Sequence, residues 1–314
     1  MEVLSATVGQ MVVLFLLILI GYLLARCKAV PENTATVLSK LENNLFVPAL
    51  VLGTFIENFT VDKIAAAGSL FAVSFGICIV MMLLAVLAAK CCTKDPYIRK
   101  IYTYGLAFSN FGFMGNAVVN AVFPGYFVDY LIFTMPLWTM IYLWGVPCLL
   151  IPQEGKTGVK ERLKSFCNPM FVCMIIGMAI GMLRWELPDF IRTTISVTGS
   201  CMSPVAMLLT GITVAQMDLK KVLSIKSIYA VSLIRLVLFP MAALGLLWVI
   251  RLPETMSVCI LCSLAMPLGL STIVIPRAYG KDTSVAAGMT IVSHLLAVIT
   301  IPVIFYLMMK ILGT

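Results

Sequence analysis

The residues able to do chemistry in this chain fall in two short stretches about 155 positions apart. The first reads Gly105-Leu-Ala-Phe-Ser-Asn110-Phe-Gly112-Phe-Met-Gly115-Asn116, and the second reads Ala265-Met-Pro267-Leu-Gly269-Leu-Ser271-Thr272. Each sets amides or hydroxyls beside glycine or proline inside an otherwise apolar run. Glycine costs a helix about 1 kcal/mol relative to alanine, and Pro267 removes a donor and crowds the preceding turn. A helix interrupted this way leaves two half-helices whose free backbone groups face a cavity, and their N-terminal ends attract anions. Asn110, Asn116, Ser271 and Thr272 can hydrogen-bond a solute there, while Gly112, Gly115 and Pro267 open the backbone to it. At an offset of 155, Gly112 aligns with Pro267 and Asn116 with Ser271. One such break reads best as tight packing or a kink. Two at equivalent positions read as a binding site.

Two ionisable residues join these candidates. Arg235 lies about nine residues into an apolar run, roughly 14 Å deep at 1.5 Å per residue. It reads either as a counter-charge gripping a carboxylate with two parallel hydrogen bonds or as a cap on backbone carbonyls. His294 is the only histidine. It reads either as a proton relay or as a neutral hydrogen-bonding residue. Lys40, Glu42, Asn43 and Asn44 open another run and are expected at a solvated interface, with an inner gate as the alternative. Glu57, Asp62 and Asp129 lie near run ends and are expected to be wet.

The elements that hold these residues are membrane spans. Apolar residues make up 61% of the 314 and charged residues 11%, with a mean hydropathy of +1.05. The apolar residues gather in runs long enough for a bilayer, which needs about 20 residues. Ten spans are predicted, at 7–26, 34–57, 66–90, 98–123, 127–151, 166–184, 190–216, 224–250, 254–277 and 283–311. Run length and the lack of strict alternation predict helices rather than a barrel. No basic residue precedes the first run, so a cleaved signal is not expected.

The second half repeats the first. Gly21, Pro48 and Asp62 recur 156 positions later as Gly177, Pro204 and Asp218. Alternate loops hold fifteen and five of the 22 Lys and Arg, which puts both termini on the non-cytoplasmic side by the positive-inside rule. The net charge of +8 is then a topology effect, and no nucleic-acid partner is implied. Five spans per half invert one half against the other. The expected organisation is a first five-helix repeat at 1–153, a cytoplasmic linker at 154–165 and an inverted repeat at 166–314.

The segment Ala107-Phe-Ser-Asn110-Phe-Gly112-Phe-Met-Gly115 resembles the fourth-span signature of the auxin efflux carrier family. Pro267, Tyr279-Gly280-Lys-Asp282, Ser293, Thr300-Ile-Pro302, Pro48 and Pro204-Val-Ala-Met-Leu-Leu-Thr-Gly211 fall at that family's spacing, and the resemblance runs the length of the chain. The family includes plant auxin exporters and bacterial malate and malonate permeases. It implies an all-α polytopic membrane protein of ten helices in two inverted repeats, with spans four and nine broken and crossing near the midplane. It further implies a scaffold of spans one, two, six and seven, often at a homodimer interface. Ala117 stands where family members usually have proline, and Ser271 where they usually have asparagine, so the crossover is altered on both sides.

The expected function is a secondary carrier in the plasma membrane for a small malate- or malonate-like carboxylate, with a sensor on a carrier fold, or a carrier of an indole or neutral solute, as alternatives. Spans three and eight hold no acidic residue, which argues against sodium symport. Intramembrane catalysis needs an Asp pair, a Ser–His pair or metal ligands; the chain offers one His, no paired intramembrane Asp and no His–Glu zinc motif, so no enzyme is expected. Neither a nucleotide loop nor any cofactor motif appears. The ten cysteines make no framework, and Cys259 and Cys262 lack a nearby His or Asp for metal. The expected partners are the solute and membrane lipid.

Overall fold

The computed structural model describes residues 2–151 and 169–312. The expected linker at 154–165 and the first residues of the expected sixth span lie outside the described residues. Helix follows helix in the first half: α1 (Glu2–Arg26), α2 (Thr34–Leu41), α3 (Val47–Asn58), α4 (Val61–Ala66), α5 (Gly68–Cys92), α6 (Pro96–Ala107), α7 (Asn116–Val122) and α8 (Phe127–Met140). The second half runs α9 (Pro169–Leu183), α10 (Asp189–Ser200), α11 (Met202–Ala215), α12 (Leu219–Leu223), α13 (Lys226–Leu233), α14 (Phe239–Ile250), α15 (Glu254–Ala265), α16 (Ser271–Ala278) and α17 (Ser284–Leu312).

Five stretches are long and apolar enough to cross a membrane: Gly68–Cys92, Pro124–Leu150, Asp189–Ala215, Lys226–Ile250 and Ser284–Ile311. Val12–Arg26, Pro169–Leu183 and Glu254–Ala265 are apolar but shorter. Large apolar side chains such as Leu83, Leu87, Trp248 and Val249 point outward, where hydrocarbon would meet them at no cost.

Prolines widen two of these helices without ending them. Pro48 and Pro240 cannot donate to the carbonyl four residues back, and their rings push it aside. The turns just before them, Glu42–Phe46 and Ile234–Leu238, are π-helical. Such turns recur at functional sites. One of these holds Glu42 and the other Arg235.

Two groups of helices result. In one, α1 packs along α11, and α3 along α9 and α10. In lipid, apolar helices gain no hydrophobic energy from packing against each other, so close backbone approach through small residues holds them. A Cβ on Gly21 would clash with the Leu208 carbonyl, and one on Gly177 would fall 2.9 Å from the Leu52 carbonyl oxygen. Both members of the second contact lie 156 positions from their counterparts in the first. In the other group, α5 packs on α6 and α8, and α17 on α13 and α15.

Candidate functional site

Both expected breaks are present, and the two interrupted helices touch at them. After α6 the chain is extended at Phe108, and after α15 it is extended at Met266. Ser109 pairs with Leu268 in an isolated antiparallel bridge. The Asn110 amide donates to the Pro267 carbonyl at 2.7 Å, and the Ser109 hydroxyl donates to the Ser263 carbonyl at 2.7 Å. A Cβ at Gly269 would come within 3.0 Å of the Phe108 carbonyl, so glycine permits the close crossing.

The first break is displaced from where the glycines place it. Phe108, Ser109 and Asn110 include no glycine or proline, and Gly112 lies beyond them in the π-helical turn Phe111–Gly115. Gly112 and Gly115 instead make room for aromatic side chains. Added Cβ atoms there would run into the Trp138 ring and the Tyr130 hydroxyl. Trp138 also meets Phe111 edge-on with ring centroids 4.9 Å apart.

Arg235 sits behind the crossing, 1% exposed. Its Nη1 donates to the Leu106 carbonyl at 3.0 Å, its Nη2 to Ser263 at 3.1 Å and its Nε to Met266 at 3.3 Å. These carbonyls belong to the C-terminal ends of α6 and α15, or follow directly after. Such ends carry unsatisfied acceptors and partial negative charge. One cation therefore serves both half-helices. Of the two readings of Arg235, the geometry is that of the cap.

His294 is likewise engaged on both nitrogens. Nδ1 lies 2.8 Å from the Thr290 carbonyl, and Nε2 lies 3.0 Å from Asn110 Nδ2. A carbonyl only accepts, so Nδ1 carries the proton and Nε2 accepts from the amide, an assignment made from the network. The neutral ring thus fixes the Asn110 side chain. Asn110 is 1% exposed, and its Oδ1 has no hydrogen-bond partner.

Asn116 and Ser271 are paired by the offset of 155; Ser271 opens α16, while Asn116 follows the π-helical turn without a break, its amide donating to the Phe111 carbonyl. Their surroundings differ. Asn116 lines a cavity of about 280 Å³ bounded by α3, α8 and α10, and its Oδ1 lacks a partner. Thr54, Ser196, Glu57 and Arg192 also line that cavity. Ser271 does not reach it and lies beside the Tyr104 phenol. Thr272 turns its hydroxyl back onto the Gly269 carbonyl at 2.8 Å.

Glu57, Asn58, Leu187 and Arg192 line the cavity where α3 ends and α10 begins. At the opposite end, where α2 begins and α16 ends, polar ties join the two groups of helices. Arg277 donates to Gln216 Oε1 at 2.6 Å, and Gln216 Nε2 donates to the Glu32 carbonyl at 2.9 Å. Asn43 Nδ2 donates to the Val274 carbonyl at 3.3 Å, and the Ser39 hydroxyl donates to the same oxygen.

Arg192 and Glu42 were not read from the sequence as site residues. Arg192 counts there only as an orientation charge. A cation in the first turn of a helix opposes the dipole, and that was the available signal. Glu42 was expected at a solvated interface and is instead fully buried, while Asn43 is 8% exposed. Residues two apart on a helix point about 200° apart. With Lys40 exposed, Glu42 has to face inward.

A sequence model for the family described as membrane transport protein matches the chain twice, over residues 6–162 and 158–305. A search of curated proteins found no match.

Proposed function

We propose that this chain, which belongs to the membrane transport protein family, is a secondary carrier for a small organic anion. The substrate class we infer is a malate- or malonate-like carboxylate. The observation that carries this reading is the cavity at α7. It joins the side chain of Asn116, whose amide nitrogen can donate to a carboxylate, and the guanidinium of Arg192. An amide donor and an arginine fork both favour a carboxylate.

The arrangement proposed around it is ten passes in two inverted repeats within the plasma membrane, with both termini on the non-cytoplasmic face. The group containing α1, α2–α3, α9 and α10–α11 is the scaffold, and a second copy would dock through it. The group containing both crossing helices moves. In the proposed cycle the solute enters from the end bearing Arg192, while the ties at Arg277, Asn43 and Ser39 hold the other end together. Transport then consists of breaking those ties, sliding the crossing group against the scaffold and exposing the same site on the other side.

A thermal-shift screen of the purified protein against mono- and dicarboxylates, indole acids, amino acids and neutral solutes tests the substrate class. Counterflow of the stabilising compound in proteoliposomes tests transport. Saturable binding without exchange of label would make the protein a sensor on a carrier fold.

A further inference from the structure

Glu42 is an anomaly that carboxylate recognition does not use. It is 0% exposed, and neither carboxyl oxygen has a hydrogen-bond partner. The chain places it in the π-helical turn that continues α2, about 12 Å from the start of that helix at 1.5 Å per residue. Two more buried oxygens nearby are also unpartnered: Asn43 Oδ1 on the same turn, and Thr213 Oγ1 on α11, which packs against that turn.

No cation answers the carboxyl. The turn packs against α9, α10, α11 and α16. Their titratable or charged groups are Cys173 on α9, Asp189 and Arg192 at the far start of α10, and Arg277 at the end of α16; α11 has none. Arg277 is bonded to Gln216, Arg192 lines the cavity at the opposite end, and on the turn's own helix Lys40 is exposed. An ionised carboxylate left buried without a partner is among the costliest arrangements in a protein interior. The neutral acid is far cheaper.

The location is as informative as the burial. Ser39, about one turn before Glu42, and Asn43, the residue after it, both donate to the Val274 carbonyl on α16. Glu42 therefore sits where the scaffold grips the half-helix that follows the second break.

We propose that Glu42 is a proton-binding site whose charge state controls the packing of α2 against α16. With the interface closed the carboxyl carries its proton. When the interface parts and water enters, the proton leaves as H+ and the carboxylate remains. Closing again requires a proton to return to it. The proton site rests on the packing alone; its use as a coupling device rests on the carrier reading above.

The test needs no transported solute. Infrared spectra of the full chain in detergent, without sodium and at neutral pH, are compared between wild type and Glu42→Gln. A protonated-carboxyl stretch in wild type that is lost in the variant is expected, and its absence from wild type would overturn the proposal. Hydrogen exchange of residues 34–46 and 271–278 is then followed in both proteins at acidic and alkaline pH. Wild type should lose protection relative to Glu42→Gln on the alkaline side, because only wild type can ionise there. Equal protection in the two would overturn the control of packing. Should the Gln variant fail to fold, the wild-type band is assigned with Glu42→Asp, in which the stretch shifts. Loss of the band on adding sodium would make this a metal-cation site and sink the proton assignment. Failure of the solute screen leaves all these readouts intact, so the two proposals fail separately.

Discussion

The backbone amide of Asn110 donates to the carbonyl of Pro267 at 2.7 Å. That bond ties the two interrupted helices at their breaks, where each would otherwise leave a buried backbone group unpaired. The bond thereby offsets part of the cost of both breaks. Arg235 completes the junction by holding the last carbonyls of both half-helices, so the crossing is a single cross-linked unit.

Asn116→Ala tests the cavity. It removes an amide whose oxygen has no partner within the protein, so stability should change little. Binding of the best compound from the thermal-shift screen should weaken roughly tenfold, about 1.4 kcal/mol. Unchanged affinity by titration calorimetry would move the site elsewhere.

Arg192 and Arg235 separate cleanly. Arg192→Gln should weaken dicarboxylates and leave neutral ligands nearly unaffected, with the melting temperature preserved. Arg235→Gln should lower the melting temperature whatever the ligand, losing about 3 kcal/mol of charge-assisted bonds to the half-helix carbonyls. A normal melting temperature with selective loss of anions in Arg235→Gln would restore the counter-charge reading.

A His294→Gln variant keeps an acceptor for the Asn110 amide, whereas His294→Leu does not. The Leu variant leaves Asn110 buried without its partner, which costs about 1–3 kcal/mol. The expected order of melting temperatures is wild type, then Gln, then Leu. Proton-relay chemistry predicts instead that Gln and Leu impair counterflow equally.

Helix approach at Gly21 and Gly177 tests the repeat. Each lies against the backbone of a helix from the other half, so Gly21→Val and Gly177→Val should each destabilise by about 1–3 kcal/mol through overpacking. Gly9 and Gly76, whose added Cβ atoms would meet nothing, should tolerate Ala with little change. Comparable losses at all four would remove the glycine contacts as the reason.

Gln216→Ala cuts the tie between Arg277 and the Glu32 carbonyl. The pair is exposed, so global stability should fall by under about 1 kcal/mol. Labelling of residues near the start of α2 should nevertheless rise, since the closed end is held by few bonds.

Much of this architecture is legible in the sequence. Pro267 announces the second break because a proline has no amide to give, and that holds in any surroundings. The offset of Gly21 and Gly177 announces a repeat, and both glycines turn out to touch a partner helix 156 residues from the other's. Ser271 stands at the start of its half-helix, whereas Asn116 lies more than a turn inside its own. The first break was less legible. Gly112 and Gly115 look like helix breakers, yet they lie in a helical turn beneath Trp138 and Tyr130, and the chain opens at Phe108 instead.

Composition and spacing alone determined that the chain is helical, apolar enough for lipid, repeated and interrupted twice, because these depend on backbone donors, run lengths and periodicity within one segment. Which polar groups meet depended on tertiary contacts between segments far apart in the chain. Those contacts turned Arg235 toward three carbonyls and His294 toward Asn110, and they brought Arg192 to the cavity. They also enclosed Glu42 completely. A residue's type limits the bonds it can make, but only the packing of helices decides whether water, a carbonyl or nothing stands opposite it.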